Sequence, residues 1–213
     1  MERQDPAERR PGTVRYGVTD TPLGPVWIGV SERGVCDVTL GASSEQRYRA
    51  RLSRWASDAR GDSGAVAAVA GELDAYFAGR LTQFSVPLDL TRVTPFTLRV
   101  LRAAQRIAFG CVTSYGDIAR GIGAPAASRA VGGALGRNPV PIIVPCHRVV
   151  THARQLGGFT GGVDFKRALL RLEGHALTGE SAGTRVDPQA PGASAGGCAG
   201  EPDSGDSAAL RLR

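Results

Sequence analysis

Residues 144–148 read Val-Pro-Cys-His-Arg, which places a cysteine directly before a histidine in a chain of 213 residues with four cysteines. A free cysteine is mostly protonated near neutral pH, because its pKa is about 8.5. A nearby histidine can accept that proton and convert the thiol into a strong nucleophile. The alternative is that Cys146 is a small buried apolar residue, as most free cysteines are. Further motifs elsewhere in the chain are needed to distinguish a nucleophilic cysteine from a buried apolar one.

The composition indicates a globular protein of one or two domains, with 42% hydrophobic residues. Residues 1–12 are charged and contain no apolar run, so we expect no signal peptide, no membrane association and a cytoplasmic location. The four cysteines are widely spaced and form no Cys-x-x-Cys pair. The sequence therefore predicts neither a metal site nor a cofactor.

Positive charge is concentrated in one part of the chain. Residues 91–174 contain 12 basic and 3 acidic side chains, a net charge of +9, whereas the whole chain carries +6. A basic domain of this kind suits a polyanion such as nucleic acid. A solvated basic surface is the alternative interpretation.

The first part of the chain is predicted to be an α+β unit. A β-hairpin is expected over residues 26–40, with its turn at 31–34, and a helix is expected within 44–58. Apolar residues recur at three- and four-residue spacing over 66–77, which predicts an amphipathic helix ended by Gly79. No catalytic pattern is visible in this part.

The second part is predicted to be mainly helical. An apolar stripe predicts a helix that starts at Pro95 and is closed by Gly110. Thr113 or Ser114 can cap a short helix, and residues 126–135 are expected to form another across a glycine turn. The two short helices make a helix-turn-helix pattern.

A final amphipathic helix is predicted to end at Gly174. Glu173 lies in its last turn, where an acid opposes the helix dipole. A positively charged partner would explain that position, and His147 is a candidate. Residues 178–213 are rich in Gly, Ala, Ser and Pro, so we expect them to be disordered, as we do residues 1–12.

A set of motifs occurs in one order along the second part. They are Tyr115, Arg129-Ala130-Val131-Gly132-Gly133, Asn138-Pro139, Pro145-Cys146-His147-Arg148 and Gly161-Gly162. Together they resemble the O6-alkylguanine-DNA alkyltransferase family, strongly over 95–174 and more loosely over 14–90. The resemblance implies an α+β fold in which an N-terminal ribonuclease H-like antiparallel sheet with helices occupies residues 13–91. A mainly α-helical, winged-helix-like helix-turn-helix domain that binds DNA and carries the chemistry would follow at 92–177.

The family repairs DNA by moving an alkyl group from O6 of guanine to its own cysteine, once per molecule. The resemblance implies that Cys146 is the acceptor, that His147 is the base acting through a water, and that Glu173 orients the imidazole. Tyr115 would donate a hydrogen bond to the departing guanine. Asn138 would brace the turn between the DNA-reading helix and the cysteine.

The resemblance also implies how the lesion is reached. The target base would be extruded from double-stranded DNA containing alkylated guanine and held by Tyr115 and by backbone groups near Cys146, Val149 and Thr160. The second short helix would enter the minor groove, where Arg129 fills the vacated stack. Its other expected DNA contacts are Ala126, Ala127, Ser128 and Gly132. Other arginines, Arg137 and Arg148 among them, could contact phosphates or form internal salt bridges.

Three other functions are alternatives to alkyl transfer. Alkyltransferase-like proteins share this architecture and mark lesions for other repair systems, but they lack the cysteine, so Cys146 argues against that non-catalytic class. A helix-turn-helix regulator presents polar side chains to the major groove, whereas residues 126–135 are mostly Ala and Gly. A cysteine hydrolase is disfavoured by the motif match. The sequence therefore predicts a monomeric, single-turnover methylated-DNA–[protein]-cysteine S-methyltransferase, with O4-alkylthymine open as a second substrate.

Overall fold

The computed structural model describes residues 12–41, 44–179 and 183–187. Most of the two segments expected to be disordered, 1–12 and 178–213, lie outside these ranges. Within them the chain forms a small sheet with two helices, followed by a helical unit, and the predicted α+β class is confirmed. None of the helices in these ranges combines the length and apolar character that a membrane span requires.

A four-stranded sheet forms the first unit. Its strands are β1 (Thr13–Thr21), β2 (Gly24–Ser31), β3 (Gly34–Leu40) and β4 (Asp58–Gly61), in the order β3-β2-β1-β4. The predicted hairpin is confirmed as the antiparallel pair β2 and β3. The sheet differs from a fully antiparallel one because β4 runs parallel to β1. No apolar alternation marks β4, which buries only Ala59, so no pattern in these four residues predicts a strand.

Two helices accompany this sheet. The helix expected within 44–58 is α1 (Glu45–Leu52), which starts at the N-cap Ser44. The predicted amphipathic helix is confirmed as α2 (Ser63–Phe77), with Asp62 as its N-cap. The residues of α2 that are buried recur at the predicted spacing; they are Val66, Val69, Leu73 and Tyr76.

The second unit is built from four helices and two very short strands. They are α3 (Pro95–Gln105), β5 (Thr113–Ser114), α4 (Tyr115–Gly121), α5 (Ser128–Gly136), β6 (Val149–Val150) and α6 (Val163–Leu172). A 3-10 helix covers Cys146–Arg148. Strands β5 and β6 pair in parallel, which links the start of α4 to the segment that follows the cysteine.

The second short helix starts two residues later than predicted. Residues 124–127 instead close a turn, in which the Ala127 amide donates to the Ala124 carbonyl at 2.8 Å. Helix α5 then begins at Ser128 without a side-chain cap. Ala126 and Ala127 therefore lie in the turn before the helix, not on the helix.

The chain continues as ordered structure past Leu177. Strand β7 (Leu177–Thr178) pairs antiparallel with β8 (Arg185–Val186). Val186 is buried in a cluster with Val150, Leu156 and Leu170. The expectation of disorder from 178 is therefore wrong for residues 178–179 and 183–187. Its physical reason is that Val186, an apolar residue in a Gly- and Ser-rich stretch, packs into this cluster.

The two units share the largest hydrophobic core, which draws on β2, β3, α2, α3, α5 and residues 140–146. Backbone hydrogen bonds also join them, since the Val38 amide donates to the Pro139 carbonyl at 2.7 Å. The edge strand β3 thus contacts the loop that leads to Cys146.

Candidate active site

The loop after α5 is organised by Asn138. Its side-chain carbonyl accepts from the Val140 amide at 3.1 Å, and its amide nitrogen donates to the Val144 carbonyl at 2.9 Å. The same nitrogen lies 3.1 Å from Cys146 Sγ. Asn138 therefore closes the turn and positions the thiol. Its role in the reaction stays a prediction.

This turn holds one residue in an unfavourable backbone conformation. Ile142 has a φ of 72°, in the left-handed region that β-branched residues avoid. The side chain is buried, and the turn around it is closed by a 3.0 Å hydrogen bond from the Val144 amide to the Val140 carbonyl. Packing and hydrogen bonding therefore stabilise a left-handed backbone conformation at Ile142 that is unfavourable in an isolated peptide.

Cys146 is buried, with 5% of its surface exposed. Burial raises the pKa of its thiol, while the hydrogen bond from Asn138, the charge of Lys166 and nearby backbone amides act in the opposite direction. The buried Lys166 amine donates to the carbonyls of Val149, at 2.6 Å, and Leu156. Burial lowers the pKa of Lys166 to about 8. Because burial raises the pKa of Cys146, its thiol stays protonated at neutral pH until a base takes the proton.

His147 and Glu173 form a fully buried pair. His147 Nε2 lies 2.8 Å from Glu173 Oε1, and neither side chain is exposed. Burial lowers the pKa of His147, opposed by its bond to Glu173. An ionised carboxylate only accepts, so Nε2 donates and Nδ1 is the nitrogen left to take a proton. Among the residues described, Nδ1 has no hydrogen-bond partner.

Arg148 resolves one of the open alternatives, because its guanidinium is internal. Nε and Nη2 donate to the Glu173 carboxylate at 2.9–3.1 Å, and Nη1 donates to the Ile107 carbonyl. Burial on its own would raise the pKa of Glu173, but the bonds and charges of His147 and Arg148 lower it to about 2. Glu173 therefore has two cationic or potentially cationic partners, where the sequence suggested His147 alone.

Sequence reasoning missed one further neighbour of this pair. The Tyr76 hydroxyl, from α2 in the first unit, donates to Glu173 Oε1 at 2.7 Å and lies 3.5 Å from His147 Nε2. A signal did exist: a tyrosine on the buried stripe of a helix needs a partner for its hydroxyl. The stripe could not identify that partner, which lies 97 residues away in the sequence.

A cavity of about 350 Å³ opens onto the thiol. Its walls come from α4, α5, the 3-10 helix and residues 157–162, which we call the glycine-rich loop; they are Tyr115, Gly132, Leu135, Gly136, Cys146, Gly158, Phe159 and Thr160. Val149 does not line this cavity. A second cavity of about 390 Å³, next to Pro145 and Arg148, does not reach Cys146.

Two of the expected base contacts have definite local roles. Tyr115 is the first residue of α4, and burial followed by the nearby Cys146 raises its pKa, so its hydroxyl remains a donor. A Cβ at Gly157, whose φ is 66°, would lie 2.8 Å from the Tyr115 oxygen. The Thr160 hydroxyl donates to the Gly136 carbonyl at 3.1 Å and ties the glycine-rich loop to the end of α5.

The expected DNA-contacting residues lie around the start of α5. Ala126 and Arg129 are exposed, and Ala127, Ser128 and Gly132 are partly exposed. A Cβ at Gly132 would lie 3.7 Å from the Tyr115 ring. The same turn of α5 therefore adjoins both solvent, where Arg129 lies, and the cavity that contains the thiol.

Two models of one protein family match consecutive parts of the chain. The family model described as "6-O-methylguanine DNA methyltransferase, ribonuclease-like domain" matches residues 14–90, and that of the DNA binding domain of the same family matches 95–175. The chain belongs to the 6-O-methylguanine DNA methyltransferase family. It therefore carries the DNA binding domain of this family, in the segment that contains the excess positive charge.

Individual members of this family resemble the chain over most of its length. A methylated-DNA–protein-cysteine methyltransferase of Mycobacterium tuberculosis strain H37Rv is 45% identical over 160 residues, which is 75% of this chain and 92% of that protein. A Salmonella typhimurium protein of the same name is 39% identical over 166 residues, 74% of this chain and 94% of its own.

Solved structures give the same family. The Mycobacterium tuberculosis OGT in complex with DNA has a TM-score of 0.66 and 42% identity, and the match covers 75% of this chain and 92% of that one. The O6-methylguanine-DNA methyltransferase from Pyrococcus kodakaraensis has a TM-score of 0.55 and 27% identity, over 76% of this chain and 99% of that one. Over the described part of this family member, no group of three or more His, Cys, Asp or Glu side chains could hold a metal ion.

Proposed function

We propose that this protein repairs DNA by transferring the alkyl group of O6-alkylguanine to Sγ of Cys146, once per molecule. One observation carries the proposal: a buried thiol, positioned by Asn138 and adjacent to the His147–Glu173 pair, opens into a cavity beside a helix-turn-helix. The relatives named above are methylated-DNA–protein-cysteine methyltransferases. O6-methylguanine in double-stranded DNA is the proposed lesion.

The proposed step exchanges one bond for another. Sγ attacks the alkyl carbon and forms the S–C bond, while the C–O6 bond breaks and its electron pair stays on guanine. The thiol proton goes to Nδ1 of His147, by way of a water as the family resemblance implies. The Tyr115 hydroxyl donates to a ring nitrogen of the departing guanine and stabilises the charge that develops there. Hydrolysis does not reverse a thioether, so the molecule acts once.

The electrostatics of the site suit this transfer. Burial keeps the thiol and the imidazole neutral before the reaction. The pKa of about 2 for Glu173 keeps its carboxylate charged throughout, so an imidazolium that forms at His147 meets a negative partner. This repeats the nucleophile, base and orienting-acid arrangement of hydrolytic triads.

The proposed DNA contact places the start of α5 in the minor groove. Small side chains at 126, 127 and 132 allow a close approach, and Arg129 supplies the cation that fills the vacated stack. The Arg129 side chain has no hydrogen bond or ion pair with any other residue in the described part of the chain, which leaves its guanidinium available to DNA. We further propose that one copy of the chain is sufficient, because a single copy supplies every group named above. The cytoplasmic location stays a prediction.

The decisive test is intact-protein mass spectrometry after incubation with a duplex that contains O6-methylguanine. We expect a gain of one methylene, mapped to Cys146 and absent from Cys146→Ala. Cys36→Ala is the matched control, because Cys36 is also a buried free cysteine but donates to the Gly29 carbonyl in the sheet. That variant should still accept the methyl group.

An unchanged mass in the wild-type chain would overturn the proposal. If the protein still bound the lesion duplex, it would be a non-catalytic lesion-binding protein. Transfer that persists in Cys146→Ala would refute the assignment of the acceptor. Sedimentation of the active protein as a dimer would contradict the monomeric form.

A further inference from the structure

We propose that Tyr76 is a positioning residue for the alkyl transfer, supplied across the domain interface: its hydroxyl fixes Glu173 and, through Glu173, the orientation and proton affinity of His147. This inference rests on the proposed function, because it concerns the base of that reaction. It gives the N-terminal unit a part in the chemistry, although the sequence of that unit shows no catalytic pattern.

The Tyr76 hydroxyl lies where it can act on the carboxylate that orients His147. Tyr76 Oη donates to Glu173 Oε1 at 2.7 Å, and this is the same oxygen that His147 Nε2 contacts at 2.8 Å. The hydroxyl also lies 3.5 Å from Nε2 itself. Arg148 Nη2 also donates to Oε1, at 2.9 Å. Three side chains therefore meet at one carboxylate oxygen, and a change in any of them alters the bond that orients the imidazole.

Packing holds the Tyr76 ring in this position. Tyr76 is fully buried in the last turns of α2, and its ring is packed against Phe77, Phe84 and Phe109 with centroids 5.3–6.0 Å apart. Phe77 and Phe84 come from the first unit and the segment that follows it, whereas Phe109 belongs to the second unit. The hydroxyl is thus held in place by both units.

The Tyr76 hydroxyl acts on Glu173 as a hydrogen-bond donor. Burial and the neighbouring Glu173 raise the pKa of Tyr76, so the group stays protonated and donates at every working pH. A donor to Oε1 disperses part of the carboxylate charge and weakens its pull on the proton of His147. Without it, the imidazolium would be more strongly stabilised and His147 would lose its proton less easily.

Other charged groups surround His147 and set the background for this effect. They are Glu173 and His175 at the end of α6, Lys166 within α6, and Arg148 in the 3-10 helix. Tyr76 is the one tyrosine in contact with Glu173 among the residues described. Its removal should therefore change the pH response without changing the net charge of the site.

The test is Tyr76→Phe, which removes the hydroxyl and keeps the ring. We expect the acid limb of the pH profile of methyl transfer to move upward by about one pH unit, so that the rate on that limb falls about tenfold, since tenfold corresponds to one unit of pKa. Tyr16→Phe is the matched control. Tyr16 lies in the same domain and donates to the carboxylate of Glu45 at 2.9 Å, remote from Glu173 in the sheet unit. Its rate and pH profile should stay those of the wild type.

Two measurements separate positioning from mere packing. Ring ¹⁵N NMR should show an upward shift in the pKa of His147 in Tyr76→Phe, whether or not the protein is active. In a Glu173→Gln background, Tyr76→Phe should have no further effect on the rate, because the carboxylate through which it acts is gone. An additive loss would mean that Tyr76 contributes only to packing.

The outcomes distinguish this inference from the proposed function. A wild-type chain that transfers the methyl group, together with a Tyr76→Phe variant of unchanged rate, pH profile and His147 titration, would refute the role of Tyr76 alone. A wild-type chain that transfers nothing would refute the proposed function. In that case the His147 titration would still show whether Tyr76 controls the imidazole.

Discussion

At the scale of single residues, the site is organised around Glu173. Its two carboxylate oxygens accept from His147, Arg148, Tyr76 and, more weakly at 3.4 Å, the Gly110 amide. An ionised carboxylate that is buried is costly unless such donors surround it. Tertiary contacts therefore stabilise Glu173, although an acid at the C-terminal end of a helix opposes the helix dipole.

Glu173 should make the stability of the protein depend on pH in the acidic range. Its pKa falls from the usual 4.5 to about 2 on folding, so its contribution is complete above pH 4.5 and is lost as the pH falls toward 2. The loss should be on the order of 3 kcal/mol. Urea unfolding from pH 7 to pH 2 would measure it.

Glu173→Gln supplies the comparison for this prediction. The difference in unfolding free energy between wild type and variant should be largest near neutral pH and should shrink as the pH falls. Glu32→Gln, an exposed acid in the turn between β2 and β3, should follow the wild type throughout. A wild-type to Glu173→Gln difference that does not change with pH would contradict the prediction.

The motif identified Cys146 and His147, and helix-end electrostatics singled out Glu173. The sequence does not distinguish a phosphate contact from an internal salt bridge for Arg148, because an arginine next to a motif has no local pattern that separates the two. Lys166 was overlooked, although it lies on the buried side of α6 with Leu169 and Leu170. A lysine at an apolar position of a helix is a sign of a buried amine, and here it donates to two carbonyls.

At the scale of elements, the start of α4 positions the cavity. Ser114 and Asp117 form a capping box, in which the Asp117 amide donates to the Ser114 hydroxyl oxygen at 3.1 Å and the Ser114 amide donates to Asp117 at 3.2 Å. Tyr115 is the next residue, so the cap fixes the backbone from which its hydroxyl reaches the cavity. The sequence predicted this cap, because such caps are local in the chain.

Ser114→Ala should lower the free energy of unfolding by about 1 kcal/mol, the usual value of a helix cap. It should also slow methyl transfer, because the backbone of Tyr115 loses its anchor. Ser44→Ala removes the equivalent cap of α1 in the other unit, where the Ser44 oxygen accepts from Arg47. That control should lose similar stability and keep its rate. Equal rates in the two variants would refute the link between the cap and Tyr115.

At the scale of the whole molecule, function depends on the joint between the two units. The Val38 amide holds the carbonyl next to Asn138, and the Tyr76 hydroxyl reaches Glu173. The helices and strands of the two units are predictable from the sequence, because apolar periodicity and turn residues are local patterns. The joint between the units is not, because it consists of pairs of residues far apart in the chain, for which no spacing rule exists.

The uneven charge of the chain should be visible in DNA binding. Residues 91–174 carry a net charge of +9, so affinity for an unmodified duplex should fall as salt rises. The slope of log affinity against log salt should be about −0.9 for each phosphate neutralised. Arg129→Ala should weaken binding. Arg60→Ala, on β4 at the sheet edge opposite β3, should leave it unchanged. Binding that does not respond to salt would contradict the prediction.

Ile142 shows that the motif around the cysteine is not a portable module. Its left-handed backbone costs roughly 1–2 kcal/mol, which an isolated peptide would avoid by relaxing. A short synthetic copy of residues 138–148 should therefore hold neither the turn nor the cysteine and histidine in their present arrangement. The reactivity of residues 144–148 therefore depends on the backbone conformation that the folded chain imposes. Grafting these five residues onto another scaffold would transfer the side chains without their geometry.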